Sequence, residues 1–289
     1  MTPRRSRGPI HPSRVFDALG FRFTVAADDP TLAAYLHELL HALQTEGSAD
    51  HHYVLRATSG NDHVQCEVRL DGTLVGGPAP AAKLVPTLVH DLNRRAVEGA
   101  DLLRFHAGGV EYRRVGLILP AGTESGKTTL VAGLVRAGFG YLTDEAVALD
   151  RDTLMIRPYP KPLSLDRGSW PLFPELEPHV DLATDDYKRA QWQVPAEAIR
   201  PGALGSPCRV RVIAFPRYEP GAETVLEQLG RAEGLVELAA NTFGSVGRSR
   251  ATFDLLADVV RTASCYRLTF GALEPAVALV SSLAEREAA

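Results

Sequence analysis

An α/β fold in two parts is predicted by three observations: a change of texture near residue 100, a glycine-containing loop between a strand and a helix, and an acidic pair in the next strand. Before residue 100, "FRFTVAA" (21–27), "HYVLRAT" (52–58) and "QCEVRLDG" (65–72) cluster or alternate β-formers, while residues 30–44 and 80–97 carry helical periodicity. That mixture predicts a small α+β domain over residues 1–99. Over residues 100–289 the pattern is that of a larger α/β domain. "LLRFHAGGVEY" and "RVGLILP" read as two strands, followed by the glycine loop, a helix over 126–137 closed by Gly138, and the strand "YLTDEAVALD". The prolines of "RPYPKPLSL" (157–165) exclude a helix or a central strand and predict an extended functional loop. Residues 166–207 show no regular period. "RVRVIAFPRY" then predicts a strand, residues 223–240 and 250–263 helices, "CYRLTFG" a strand and residues 274–288 a last helix.

Composition bounds the function. A hydrophobic content of 45% with 23% charged residues suits an ordinary globular core, and a net charge of -4 gives no electrostatic case for nucleic acid or an anionic membrane. Cys66, Cys208 and Cys265 are scattered and odd in number, so neither a disulfide framework nor a cysteine zinc site is indicated. No apolar run approaches the roughly 20 residues of a membrane span, and no signal peptide opens the chain. The expectation is a cytoplasmic protein with no nucleic-acid or membrane partner.

The loop "LPAGTESGKTTL" (119–130) carries the first chemistry. A polyphosphate needs converging backbone N–H groups, a helix N-terminus, a cation for the β- and γ-oxygens and a hydroxyl for magnesium, which is the content of a G-x-x-x-x-G-K-[ST] loop. Here Ala121 stands where glycine is usual, and Gly122, Thr123, Glu124, Ser125, Gly126, Lys127, Thr128 and Thr129 complete the nucleotide-binding stretch. Lys127 is the phosphate cation and Thr128 the magnesium hydroxyl. Glu124 has to point outward, because a carboxylate about 6 Å from a phosphate charge costs roughly 3 kcal/mol at an effective dielectric of 20.

Asp144 and Glu145 follow Lys127 by 17 and 18 residues, where the strand after the loop helix returns beside the phosphates. They suit the work of orienting or deprotonating an acceptor hydroxyl and of holding magnesium. Lys161, set among prolines, is a candidate for phosphate or substrate, as are Arg248 and Arg250 in a Gly/Ser-rich loop and Arg217 after a strand. A different chemistry is raised by "HELLH", in which His37, Glu38 and His41 match the H-E-x-x-H zinc-protease pattern. Against it, Leu32, Leu36, Leu39, Leu40 and Leu43 form the buried stripe and turn His37, Glu38 and His41 towards the other face, and no third ligand follows.

The run from His106 through "GVEYRRVGLILPAGTESGKTTLVAGLVRAGFGYLTDEAVAL" resembles the catalytic core of bacterial HPr kinase/phosphorylases, in which a histidine strand, a phosphate loop with its helix, and a paired-acid strand come in this order. Downstream segments resemble divergent HPr-kinase-like proteins, including those that phosphorylate ribosomally made peptides such as lasso peptides. The resemblance covers residues 100–285 and implies an HPr-kinase C-terminal, PEP-carboxykinase-like core that uses ATP and magnesium to phosphorylate a hydroxyl of a peptide, protein or small molecule. It implies Asp144 as acceptor of the hydroxyl proton, Glu145 as the second acid near magnesium, His106 as the active-site histidine, and a homo-oligomer by analogy. The second acid is usually aspartate, and no "E-I-R-G-L-G"-like signature of the bifunctional enzymes is present. A P-loop ATPase and a non-catalytic nucleotide-binding module are the alternatives.

Overall fold

The computed structural model describes residues 14–58, 65–99, 101–122, 125–178, 191–244 and 250–289. Its strands fall into two large sheets and a two-stranded ribbon, with seven α-helices among the described residues. The first sheet contains β1 (Val15–Ala18), β2 (Phe21–Ala27), β3 (Gln44–Thr45), β4 (His51–Thr58), β5 (Gln65–Leu70) and β6 (Thr73–Ala79) in the order β3-β1-β2-β4-β5-β6. Two helices cover it, α1 (Pro30–Leu39) and α2 (Ala81–Gly99). Asp29 caps α1 by accepting from the Leu32 N–H at 2.8 Å, and Pro30 sits at its first position, where a missing N–H costs nothing. The leucine stripe of residues 32–43 is buried as its spacing predicts.

The helix predicted over 30–44 ends at Leu39, however. A 3-10 turn takes His41–Leu43, and Gln44 pairs with Phe16 in the sheet. His37 and His41 are therefore not one turn apart on one helix. His37 Nε2 instead meets the Val25 carbonyl at 3.0 Å, and His41 lies 3.7 Å from Glu197.

The second sheet draws on β7 (Leu103–Tyr112), β8 (Val115–Pro120), β9 (Gly140–Thr143), β10 (Ala146–Leu149), β11 (Met155–Arg157), and three later strands. After the ribbon of β12 (Leu163–Leu165) and β13 (Trp192–Val194) come β14 (Cys208–Tyr218), β15 (Val225–Gln228) and β16 (Ser264–Phe270). The order is β11-β10-β7-β8-β14-β16-β15, with β9 also on β7, and β11 pairs β14 as well as β10, which closes five strands into a ring. β8, β14 and β16 are parallel neighbours. One face of the sheet packs on α3 (Lys127–Arg136) and α7 (Leu273–Ala288); the other packs on α5 (Arg231–Ala240) and α6 (Arg250–Thr262). A short α4 (Ala196–Ile199) lies beside α3. Gly108 lets α3 close on β7, since a Cβ there would come within 2.5 Å of Val131 and 3.3 Å of the Lys127 stem.

Three readings change. Residues 225–228, expected to be helical, form β15 on the edge of the sheet, and the helix starts only at Arg231. "YLTDEAVALD" is two strands broken at Asp144 and Glu145. "RPYPKPLSL" is an extended but buried connection that ends in β12. The core under the first sheet continues into Leu102, Ala146, Ala148 and Tyr159, so β10, the strand after the acidic pair, is packed against it.

Candidate active site

β8 delivers the chain to the loop and α3 receives it. Ala121 is buried, and its N–H donates to the His106 carbonyl at 3.2 Å, which ties the start of the loop to β7. Ser125 Oγ donates to the Gly122 carbonyl at 2.9 Å. Gly126 then turns with φ +78°, a left-handed conformation that glycine adopts without a Cβ penalty. It is the N-cap of α3 and, as glycine, supplies no side-chain cap, so among the described residues no N-cap side chain takes up the first-turn amides at the positive end of the helix. Thr123 and Glu124 lie outside the described residues, as does Arg248.

Lys127 begins α3 with a side chain only 7% exposed; its Nζ meets His106 Nε2 at 3.0 Å and the Ala121 carbonyl at 3.3 Å. Burial holds this ammonium below the ordinary lysine range, with Lys161 pushing the same way and Asp144 and Glu145 pulling back. Burial also lowers the His106 pKa, and the Lys127 charge adds to it against the opposing pull of Glu145. A neutral His106 is the right partner for an ammonium, because its Nε2 can accept. The imidazole is backed by the Phe243 ring at 5.8 Å, and the backbone N–H of His106 donates to the Asn241 carbonyl at 2.7 Å. Thr128 is half-buried in the first turn of α3, and Thr129 Oγ1 lies 2.6 Å from Ser169 Oγ.

The acidic pair links two strands that keep one register on β7. Thr143 faces Gly109 and Ala146 faces His106, and the register shift between Gly109 and Val110 falls at Leu142, within β9. Asp144 and Glu145 bridge β9 and β10 opposite Gly108 and Ala107, with the Ala107 N–H donating to the Glu145 carbonyl at 3.0 Å. The two side chains then part. Asp144 is 1% exposed; its Oδ1 accepts from the Tyr141 hydroxyl at 3.0 Å and lies 2.7 Å from Lys161 Nζ, while Oδ2 accepts from the Ser164 N–H at 3.2 Å. Glu145 keeps a third of its side chain exposed and meets Lys161 Nζ at 3.4 Å.

Lys161, expected on an exposed loop within reach of phosphate, is fully buried instead and donates also to the Pro162 carbonyl at 3.1 Å. Burial alone would lower its pKa, yet the two carboxylates together outweigh that and raise it. The structure thus gathers His106, Lys127, Asp144, Glu145 and Lys161 into one cluster in which two ammonium groups face two carboxylates. Asp144 has both oxygens engaged and no open side, which argues against it as the acceptor of a hydroxyl proton. Arg250 pairs with Asp254 on the surface, and Arg217 lies 3.8 Å from Glu237, outside this cluster.

Sequence reasoning did not identify Tyr141, whose hydroxyl oxygen also lies 2.8 Å from the Lys161 carbonyl, nor the Ser164 amide. Neither carries a motif; only tertiary packing brings them to Asp144. Thr128 and Glu145 carry oxygens of the kind magnesium takes, an ion that binds through one or two protein oxygens and keeps waters. Among the described residues no group of three His, Cys, Asp or Glu side chains is arranged to hold a metal by itself, and no helix is long and apolar enough to cross a membrane.

No protein-family model matches the chain, and no curated protein matches it. Among solved structures it is similar to the Hpr(Ser) kinase/phosphatase from Coxiella burnetii, at 11% identity and a TM-score of 0.33, over 63% of this chain and 88% of that one. A likeness of that size does not fix a family; the chain stands as a mixed α/β protein with several sheets.

Proposed function

We propose that the chain is an ATP- and magnesium-dependent phosphotransferase that moves the γ-phosphoryl group to a hydroxyl of a peptide, protein or small molecule. The observation that carries this reading is the convergence of an uncapped helix N-terminus, a buried lysine and a braced acidic pair at the end of β8. The loop amides and Lys127 bind the triphosphate, Lys127 leaving His106 to meet the phosphate oxygens. Thr128 and Glu145 are the side chains that would hold magnesium, whose charge offsets that of the β- and γ-phosphates.

Lys161 and Asp144 lock the link between β9 and β10, so that Glu145 presents its exposed edge to the acceptor and orients the hydroxyl. The acceptor oxygen forms a bond to the γ-phosphorus as the bond to ADP breaks, and the neutral His106 takes the hydroxyl proton. A loose transition state makes positioning the main demand, which suits a site built from fixed groups.

The test is transfer from γ-labelled ATP with magnesium to serine-containing peptides and cell extract, wild type beside Lys127→Ala. Label on an acceptor with the intact loop alone supports the reading. Label released only as free phosphate replaces it with an ATPase, and no turnover with retained ATP binding replaces it with a nucleotide-binding module.

A further inference from the structure

Resting on the nucleotide reading above, we propose that Tyr218 is the stacking platform for the purine base of the bound nucleotide. β8 and β14 run parallel with Ile118 opposite Ile213, which sets Pro120, the last residue of β8, level with Phe215. β14 continues three residues farther to Tyr218, about 10 Å at the rise of a parallel strand. The ring therefore stands beyond the carboxyl end of β8, beside the start of the phosphate loop, in the kind of crevice where parallel sheets hold ligands.

A contact joins the ring to the loop. A Cβ placed on Gly126 would come within 3.2 Å of Tyr218 Cβ and 3.3 Å of Phe270 Cζ, so the residue that opens α3 lies against both aromatics. Phe270 is buried at 2% exposure and fixes one side of the pair, its ring centroid 5.7 Å from that of Tyr218 with the planes at 57°. Tyr218 itself is 47% exposed. Scattered exposed aromatics are ordinary on protein surfaces and mean nothing singly. This one is backed by a buried ring and borders the amides proposed to hold phosphate.

The geometry of the ligand selects the occupant. With the β- and γ-phosphates at Lys127, the nucleoside extends past the α-phosphate away from the acidic pair and needs an apolar surface near the loop. A π-face supplies it without reading the base edges. The platform therefore favours a nucleoside triphosphate over a bare polyphosphate and discriminates little between purines.

The experiment is calorimetric binding of ATP and of inorganic tripolyphosphate, each with magnesium, to wild type, Tyr218→Ala, Tyr218→Phe and Lys127→Ala. Tyr218→Ala raises the ATP dissociation constant roughly 5- to 150-fold, the span of one lost base–aromatic stack, and moves that of tripolyphosphate by less than about twofold. Tyr218→Phe stays near wild type, and Lys127→Ala weakens both ligands. Tyr218→Leu, which keeps apolar packing on Phe270, gives the alanine result if that variant melts early. An unchanged ATP constant in Tyr218→Ala, or equal weakening of both ligands, overturns the platform while leaving the phosphate loop intact. A wild type that binds neither ligand overturns the nucleotide reading and the platform with it.

Discussion

Replacing Lys161 by methionine removes the ammonium at the centre of the acidic pair and leaves its volume largely filled. Nζ lies 2.7 Å from Asp144 Oδ1 and 3.4 Å from Glu145 Oε2 with no exposed surface. At an effective dielectric of 20 these separations correspond to about 6 and about 5 kcal/mol of attraction, against a desolvation cost of several kcal/mol for each buried ion. The net loss on removing one partner of such a pair is about 3–5 kcal/mol, because Asp144 is left as a buried charge held only by Tyr141 and the Ser164 amide. That is a large share of the roughly 5–15 kcal/mol by which domains are stable.

Chemical denaturation of wild type, Lys161→Met, Asp144→Asn and the double variant reads this directly. The double variant, which buries neither charge, should be less destabilised than the sum of the singles by about 2 kcal/mol. The folded Lys161 pKa is raised, so its stabilisation is complete below the ordinary lysine value and fades only as the pH climbs through the higher folded value. The deficit of Lys161→Met should accordingly be flat across neutral and mildly alkaline pH. A deficit below about 1 kcal/mol, or singles that add within about 0.5 kcal/mol, would refute the buried brace.

The folded His106 pKa is lowered, so the folded state takes up fewer protons than the unfolded chain once the pH drops through the ordinary histidine value. Stability falls there, and the acid limb of the stability profile should flatten in His106→Gln; equal slopes would remove the burial argument. On the same ground, transfer by wild type should hold steady to a pH below the ordinary histidine value before it declines. Glu145→Gln should lower transfer about 100-fold at saturating ATP and magnesium and with less loss of stability than Asp144→Asn, measured by single-turnover transfer and urea melts; the reverse ranking would return Asp144 to the acceptor.

The elements legible in the sequence are those set by local pattern. α1, α3, α6 and α7 follow apolar residues at helical spacing, and β7, β8, β14 and β16 are long runs of β-formers. Where the deciding partner is remote, local pattern misleads. Val225 and Leu229 stand four apart like the stripe of a helix, yet Val225 pairs with Thr269 and the segment becomes an edge strand. The ribbon of β12 and β13 joins Ser164 to Gln193 across a separation of 29 residues that no window spans. The break at Asp144 and Glu145, between Thr143 opposite Gly109 and Ala146 opposite His106, has no signature in "YLTDEAVALD".

The candidate site divides along the same line. Loop and helix chemistry is contiguous in sequence, so Gly126, Lys127 and Thr128 could be read in place. Asp144 and Glu145 are adjacent and nearly identical in chemistry, the residues by themselves left the two roles open, and only the resemblance implied Asp144 as the proton acceptor. What separates them is their surroundings: Tyr141 and Ser164 close over Asp144, while Glu145 reaches the edge. Lys161 completes that asymmetry. A lysine between Pro160 and Pro162 reads as a solvated loop residue, but proline fixes φ and carries no N–H, so an extended proline-flanked segment can be buried with few backbone donors left to satisfy. The stiffness that suggested an exposed arm is what allows this one to bring a cation inward, and the same cation that pairs with Asp144 leaves its carboxylate no open side.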